Sequence, residues 1–222
     1  MSDNIEYNKS YIGLRQDLLK YIEGKSNIVL DVGCALGING KFLLDSNIAD
    51  QVYGIEYDFG MARQAEKFNT KVFCGDLNDA SFIESILNSN NSFDYIIFGD
   101  ILEHLFDPLK VLAELKSMLK PHGTIIISVP NIGHIELFIQ IFIKGTWPKN
   151  ERGIFDKTHL RWFTRKDVFS LAGSANLEVI KYERKFRARD AIGSRFTWKT
   201  KLLKLINKDL VTFQHIIVCK HA

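Results

Sequence analysis

The sequence has few cysteines, and their arrangement does not suit a structural role. Its 222 residues include three cysteines, Cys34, Cys74 and Cys219, which lie far apart and form no C-x-x-C pair. This odd number and this spacing argue against a disulfide framework or a zinc site, and they favour a reducing compartment. We therefore expect a cytoplasmic protein.

Long apolar stretches are also missing from the sequence. The most apolar segment, residues 135–143, is interrupted by Glu136 and Gln140. It is about half as long as the roughly 20 residues that a helix needs to cross a bilayer. The opening residues, MSDNIEYNKSYIG, carry acids and polar groups where a signal peptide has a basic start and an apolar core. We expect neither a membrane span nor a secretory signal.

A strong net charge of either sign is absent as well. The chain has 29 Lys and Arg residues against 26 Asp and Glu residues, a formal charge of +3. Such a small charge does not by itself favour a nucleic acid or a membrane surface. Residues 184–208 differ, because they hold many basic residues and a single acid, Asp190. That stretch could contact RNA phosphates, and it fits a solvated surface or an acidic, nucleotide-linked sugar equally well.

Short apolar runs alternate with helical patterns along the chain. Seven runs predict strands, at residues 27–33, 51–56, 71–74, 93–98, 124–129, 177–186 and 212–220. Apolar residues along one face predict helices at residues 10–22, 108–119 and 165–175. Thr164 and Asp167 supply the start signal of the last of these helices. Strands that alternate with helices indicate a parallel sheet with right-handed crossovers.

Residues 131–164 differ in character from the rest. They are too many for an ordinary connection, and they are rich in aromatic and basic residues. Long insertions of this kind often close over a functional site, so we predict a lid here. We find no repeat and no second domain boundary, and expect one domain over residues 1–222.

The strongest functional signal is a glycine-containing turn after the first predicted strand. Residues 29–37 read VLDVGCALG, and Glu56 follows at the end of the next predicted strand. Glycine lets the backbone approach a ligand where a Cβ would clash. An acid about 20 residues further on can accept hydrogen bonds from ribose hydroxyls. Either feature alone is common in proteins without such a site, and the combination is what indicates a nucleotide-type cofactor.

With these residues the chain resembles the class I S-adenosylmethionine (SAM) dependent methyltransferases, whose cofactor turn follows D-x-G-x-G-x-G. Asp31, Gly33 and Gly37 match that pattern, Cys34 lies within it, and Ala35 stands where the family usually has its central glycine. The resemblance implies a Rossmann-like α/β fold with a doubly wound sheet. That sheet would be mostly parallel with an antiparallel C-terminal strand, and helices would cover both faces.

Four further stretches continue the resemblance in chain order: VYGIEYD at 52–58, FCGDL at 73–77, FDYIIFGDILEHLFDP at 93–108 and LKPHGT at 119–124. The resemblance implies SAM as the cofactor, with its ribose held by Glu56 and its adenine amino group contacted by Asp76. Further cofactor contacts are implied beside these acids and after the fourth strand, at Tyr57, Leu77 and Asp100. Nicotinamide enzymes fit less well, because their fingerprint is G-x-G-x-x-G.

The helix before the first strand offers one more contact to the cofactor. In related enzymes a tyrosine and an arginine before the first strand approach the methionine carboxylate, and Tyr11 and Arg15 are the nearest matches. The planar fork of arginine suits a carboxylate. A solvated helix face explains the two residues equally well.

Three histidines are candidates for the catalytic base that a hydroxyl acceptor would need. His104 follows the fourth strand, His134 follows the fifth, and His159 lies in the stretch FDKTHLRWFT. We prefer His134, because we expect it at the carboxyl end of the fifth strand, facing the cofactor crevice. Each histidine also has a structural alternative, as a helix-start, capping or lid residue, and Arg161 is expected to pair with Asp156. No clear cluster of metal ligands is visible, so no metal is expected.

The substrate class follows from the predicted lid and from the FDKTHLRWFT stretch, which resembles a subgroup associated with glycan and small-molecule methylation. Trp147, Trp162 and Phe163 could stack on a sugar ring. We predict O-methylation of a sugar or sugar-bearing metabolite by a monomer or homodimer, without a nucleic-acid partner. Three alternatives stay open. They are a polyprenyl quinone intermediate with residues 135–143 resting on the bilayer, RNA or protein methylation, and a SAM-binding scaffold without catalysis.

Overall fold

The computed structural model describes residues 13–186 and 198–222, so Tyr11 and the middle of the basic stretch, residues 187–197, lie outside the described residues. The strands are β1 (Asn27–Val32), β2 (Ala49–Glu56), β3 (Lys71–Cys74), β4 (Phe93–Gly99), β5 (Leu119–Pro130), β6 (Leu177–Phe186) and β7 (Thr212–His221). Within the described ranges they form one seven-stranded sheet in the order β3-β2-β1-β4-β5-β7-β6.

The direction of the strands places a crevice in the middle of this sheet. Strands β1 to β5 pair in parallel, whereas β7 is antiparallel to both of its neighbours, β5 and β6. The chain winds outward from β1 to β3 and then returns to the other side of β1 as β4. Doubly wound sheets bind ligands where the winding reverses, at the carboxyl ends of the strands. The predicted sheet, mostly parallel with an antiparallel C-terminal strand, is confirmed.

The helices alternate with the strands as predicted. They are α1 (Gln16–Leu19), α2 (Ile38–Asp45), α3 (Phe59–Ala65), α4 (Ala80–Leu87), α5 (Pro108–Lys116), α6 (Ile135–Phe138), α7 (Arg165–Ser174) and α8 (Trp198–Ile206). Short 3-10 turns at Leu102–His104 and Lys208–Val211 and a π-helical turn at Ile139–Ile143 complete the set. Thr164 and Asp167 form the predicted capping box of α7. None of these described helices is both long and apolar enough to cross a membrane.

Two predicted helices are shorter than expected. Arg15 precedes α1 with a non-helical backbone (φ −92°, ψ 57°), and its side chain donates to Asp100 at 2.6 Å. The helix predicted to run to Leu119 ends earlier, at the end of α5. Leu119 instead pairs with Phe93 in the β4–β5 ladder, so the fifth strand begins before the run of isoleucines that suggested it.

The central strands are buried on both faces, which fixes the position of their carboxyl ends. Leu30 and Ile96 point into one core together with α4, α5 and α7. Their neighbours Val29 and Ile97 point into the other core together with α1 and α2. Each fully buried Leu or Ile side chain stabilises the fold by roughly 1.5–3 kcal/mol. Helices therefore cover both faces of the sheet, as predicted.

Residues 131–164, called here the cover segment, fold back against the C-terminal half of the sheet. The N–H of Ile132 donates to the carbonyl of Phe163 at 3.0 Å, so the two ends of the segment meet. Ile154 and Phe155 are buried against Phe213 of β7. These contacts hold the middle of the cover segment over the carboxyl ends of the parallel strands.

Candidate active site

A cleft of about 710 Å³ lies at the carboxyl ends of β1, β2 and β4, and the cover segment forms part of its wall. Most of the residues predicted for the site line this cleft: Arg15, Asp31, Gly33, Cys34, Ala35, Glu56, Tyr57, Asp76, Leu77, Asp100, His104 and His159. Two predicted residues, Gly37 and His134, are not among its lining residues.

The turn between β1 and α2 holds an alanine in a conformation that favours glycine. Gly33 and Ala35 both have a positive φ, of 77° and 47°. The N–H of Gly33 donates to the carbonyl of Ile55 at 2.9 Å, and that of Ala35 donates to Glu56 Oε2 at 2.8 Å. A residue with a Cβ in this conformation costs roughly 1–2 kcal/mol. The two hydrogen bonds to β2 offset that cost and stabilise the backbone conformation of the turn.

Gly37 supports helix packing rather than the cleft. It caps the N-terminus of α2 with a φ of 74°. A Cβ at this position would lie 2.9 Å from the Cα of Ala65 in α3, closer than real side chains approach a backbone. Gly37 has a packing role, because only glycine lets α2 approach α3 this closely, and its contact with the cofactor stays a prediction.

Two acids at the ends of neighbouring strands offer acceptor oxygens to the cleft. Glu56 accepts from Asp58 N at 2.9 Å and from Ala35 N at 2.8 Å, and burial raises its pKa. Asp76 Oδ1 accepts from the backbone N and the side-chain Nδ2 of Asn78, at 2.8 and 3.0 Å. Since each carboxylate oxygen has two lone pairs, both acids keep capacity for hydroxyl or amino donors of a ligand. Leu77, next to Asp76, is almost fully buried.

Asp31 is a buried acid at the end of β1. Its side chain accepts a hydrogen bond from Asn39 Nδ2 at 3.1 Å. Burial raises the pKa of Asp31 to about 6, although Asn39 and Arg15 act in the opposite direction. Asn39 Oδ1 in turn accepts from the Arg15 N–H at 3.0 Å. Sequence reasoning missed Asn39, which ties the acid of the turn to the segment before β1.

Arg15 is the centre of an ion-pair network at the floor of the cleft. Its guanidinium donates to both carboxylate oxygens of Asp17 at 3.0 and 3.1 Å, to Asp100 Oδ2 at 2.6 Å and to Ser128 Oγ at 3.1 Å. Burial would lower the pKa of Arg15, but Asp100 and Asp17 raise it above its ordinary value. Gln214 Nε2 also donates to Asp100 Oδ2, at 2.6 Å. The network fixes Asp100, whose φ is +59°.

The cleft also contains a cluster that sequence spacing did not reveal. Glu103, His104 and His159 each offer a ligand atom, and these atoms lie within 4.8 Å of one another. The backbone N–H groups of Leu160 and Arg161 donate to the Glu103 carbonyl at 2.8 and 3.0 Å, which brings the cover segment to the end of β4. Sequence analysis found no such cluster, because the fold unites residues 55 positions apart.

Burial dominates the chemistry of this cluster. It raises the pKa of Glu103 well above its usual range, and the nearby Asp100 adds to the effect. Burial lowers the pKa of His104. It also lowers the pKa of His159 to about 4, assisted by the neighbouring His104 ring at 4.8 Å. Both imidazoles are therefore neutral near pH 7 and carry a free lone pair.

His134 occupies a capping position instead of the cleft. Its Nδ1 accepts from the Glu136 N–H at 3.2 Å at the start of α6, and the residue is buried. The structural alternative for His134, a helix cap, describes its position, and its role as a catalytic base stays a prediction. His104 and His159 are the histidines that line the cleft.

Two basic residues in the described part of the basic stretch pair with acids. Arg184 Nε donates to Asp209 Oδ1 at 2.8 Å, and the Lys185 ammonium pairs with Asp17. On the cover segment, Arg161, which was expected to pair with Asp156, donates to the carbonyl of Phe106. These basic groups support the fold of the C-terminal half.

The fold and the site define a class of protein that comparison with known sequences also identifies. A family profile described as "Methyltransferase domain" matches residues 5–182, and the chain belongs to this family of SAM-dependent class I methyltransferases. The cofactor is SAM. The cleft fits it, because Glu56 and Asp76 present acceptor oxygens from adjacent strands, and the turn at Gly33 presents backbone at close range.

Individual relatives are distant. A probable S-adenosylmethionine-dependent methyltransferase of Mycolicibacterium smegmatis is 27% identical over 46% of this chain and 38% of its own length. The ubiquinone biosynthesis O-methyltransferase of Glaesserella parasuis is 26% identical over 86% of this chain and 80% of its own length. The chain thus spans about two fifths of the first relative and four fifths of the second.

A solved structure shows the same fold. The PH0226 protein from Pyrococcus horikoshii aligns with a TM-score of 0.59 over 99% of this chain and 93% of its own, at 21% identity. At this identity the likeness concerns the fold alone.

Proposed function

We propose that this methyltransferase transfers the methyl group of SAM to a hydroxyl oxygen of a sugar or another small metabolite. When bound, SAM supplies a methyl group on a positively charged sulfur, so the protein needs to hold the cofactor and align the acceptor in a site shielded from water. The observation that carries the proposal is the polar half of the cleft, where Glu103, His104 and His159 lie beside the cofactor residues.

The two acids at the strand ends and the turn after β1 form the half of the cleft that would hold the cofactor. We propose that Glu56 accepts from the ribose hydroxyls and that Asp76 accepts from the adenine amino group. Arg15 uses four of its five N–H donors on Asp17, Asp100 and Ser128. The remaining donor is available for the methionine carboxylate of SAM.

The acceptor half favours a polyhydroxylated molecule. Asp156 and Thr158 line the cleft wall together with His104 and His159, so hydrogen-bond donors and acceptors are concentrated there. Thr158 already hydrogen-bonds to Asp156 and lies within hydrogen-bond distance of His104. A sugar or similar metabolite would add partners for the hydrogen-bonding capacity that these groups keep. Arg184 and Lys185 pair with acids, which supports a small-molecule acceptor rather than a nucleic acid.

We also propose that the chain works as one domain in which the cover segment acts as a lid. Gly145 and Gly153 have a positive φ, of 65° and 83°, and no neighbouring atom lies within 4 Å of where a Cβ would stand. Glycines in such open positions can absorb the backbone rotations of a hinge. The stretch between them carries Trp147, whose ring packs edge-on against Trp162.

A polyprenyl-quinone acceptor is the second candidate, and a specific surface favours it. Phe138 and Phe142 stack with ring centroids 5.2 Å apart, and both are exposed together with Ile143. An exposed apolar helix face of this kind can rest on a bilayer. The ubiquinone biosynthesis O-methyltransferase relative supports this alternative as well.

The test is a methyl-transfer assay with SAM and a panel of free sugars, nucleotide-linked sugars, quinols and amines, followed by mass spectrometry. We expect a product heavier by one methylene unit with hydroxyl acceptors of the sugar type. Glu56→Gln should slow the reaction, whereas Asp45→Asn, on the exposed surface of α2, should not. Methylation of amine acceptors alone would contradict the proposal, and methylation of quinols alone would favour the second candidate.

A further inference from the structure

We propose that Glu103, His104 and His159 bind a divalent transition-metal cation in the active-site cleft. Two imidazoles and one carboxylate form a donor set that suits Zn²⁺ and similar ions. The three ligand atoms lie within 4.8 Å of one another, so a modest closure around an ion would bring them to coordination distance. Within this cluster, His159 Nε2 lies 3.9 Å from Glu103 Oε1.

A buried oxygen without a partner points to a ligand at this place. Glu103 Oε2 is shielded from solvent and has no hydrogen-bond partner among the described residues. The side chain of Glu103 is 1% exposed and that of His159 is 5% exposed. Buried polar atoms are rarely left unpartnered, because each costs about 1–3 kcal/mol. A cation between the carboxylate and the imidazoles would supply the missing interaction.

The neighbours of His104 favour the tautomer that can bind a metal, with the proton on Nδ1 and the lone pair on Nε2. Thr158 Oγ1 donates to Asp156 Oδ1 at 2.6 Å. The same hydroxyl lies 3.1 Å from His104 Nδ1, and its single proton is already used. It therefore accepts from Nδ1–H, which leaves the lone pair of the ring on Nε2. Metal-binding histidines are commonly oriented by such a hydrogen bond from the other ring nitrogen.

A cation in this position could activate the acceptor hydroxyl. This role rests on the proposed function. Three protein ligands leave coordination positions open, as in catalytic metal sites. An acceptor hydroxyl bound there would lose its proton to water more readily. The oxygen then forms a bond to the methyl carbon, the carbon–sulfur bond breaks, and the electron pair stays on sulfur as a neutral thioether.

Metal binding can be measured without any turnover. The chelator-treated chain is titrated with ZnCl₂, MnCl₂ and MgCl₂ by calorimetry, and we expect one equivalent of Zn²⁺ to bind more tightly than Mg²⁺. Glu103→Gln and His104→Gln should each weaken Zn²⁺ binding at least tenfold, with circular dichroism confirming the fold. His122→Gln, at an exposed histidine outside the cluster, is the matched control. Equal Zn²⁺ affinity in the wild type and the folded His104→Gln variant would overturn the proposal.

Methyl-transfer assays with and without a chelator test the metal site separately from the proposed function. We expect the chelator to reduce methyl transfer to hydroxyl acceptors at least tenfold and Zn²⁺ or Mn²⁺ to restore it. Full turnover in the presence of the chelator would overturn the metal site and leave the O-methyltransferase proposal standing. Tight metal binding without turnover on any hydroxyl acceptor would contradict the proposed function while supporting the site.

Discussion

The carboxylate of Glu56 accepts a hydrogen bond from the amide of Ala35 at 2.8 Å, which joins the end of β2 to the turn after β1. One acid thus shapes the cofactor turn and faces the ligand. The sequence motif contains both residues but gives no sign of this bond, because they are 21 positions apart. Changes at Glu56 should therefore affect the turn as well as the ribose contact.

We predict that Glu56→Gln weakens the binding of SAM and of its demethylated product at least tenfold. The amide loses charge and offers one fewer acceptor atom, and hydrogen bonds to charged groups contribute about 1.5–3 kcal/mol. Calorimetric titration measures the change. Asp45→Asn is the matched control, since Asp45 pairs with Lys41 on the exposed face of α2. Wild-type affinity in Glu56→Gln would show that the ribose is held elsewhere.

Ala35→Gly should leave the fold at least as stable as the wild type. Glycine relieves the positive φ of 47°, a gain of roughly 1–2 kcal/mol, and it loses about 0.5–1 kcal/mol through its greater unfolded-state entropy. Ala113→Gly, in the exposed face of α5, should instead lower the free energy of unfolding by about 1 kcal/mol. Urea denaturation compares the two variants, and equal destabilisation by both would contradict the assigned strain.

Sequence patterns predicted the parts of the fold and site that depend on neighbouring residues. The runs around β1 and β4, the Gly33 turn and the capping box at Thr164 are local, so their spacing along the chain carries the information. Asn39 and Gln214 were missed because they act through side chains that only the tertiary fold brings to Asp31 and Asp100.

The histidines illustrate the same limit. The sequence placed His134 after the fifth strand, but could not show that its ring turns back to cap α6. It likewise could not show that Glu103 and His159 meet, since the cover segment reaches the end of β4 only through backbone bonds to the Glu103 carbonyl. A cluster built from two distant loops has no spacing signature.

The exposed pair Phe138 and Phe142 distinguishes the two candidate acceptors. If the substrate is a sugar, Phe142→Ser should leave turnover of that sugar within about twofold, because Phe142 is 72% exposed. The wild-type chain should also remain in the supernatant when vesicles of anionic phospholipid are sedimented. Co-sedimentation that Phe142→Ser abolishes would instead support a membrane-bound acceptor.

His215 should make the fold sensitive to mild acid. The residue is fully buried in β7, its Nδ1 lies 2.9 Å from the Tyr182 hydroxyl, and burial lowers its pKa to about 4. An unfolded chain would protonate the same imidazole near pH 6.5. Protons therefore bind the unfolded state preferentially, so the stability that neutral His215 contributes is present above about pH 6.5 and is lost as the pH falls towards 4.

The size of this effect follows from the difference between the two pKa values. Between about pH 7 and pH 5 the wild type should lose roughly 2 kcal/mol of unfolding free energy through this residue. His215→Gln cannot titrate, so its stability should fall less over the same interval, while the exposed control His122→Gln should follow the wild type. Because Asp31, with a pKa raised to about 6, acts in the opposite direction, the difference between variants is the quantity to measure. Parallel pH profiles for the wild type and His215→Gln would rule out a neutral buried imidazole at this position.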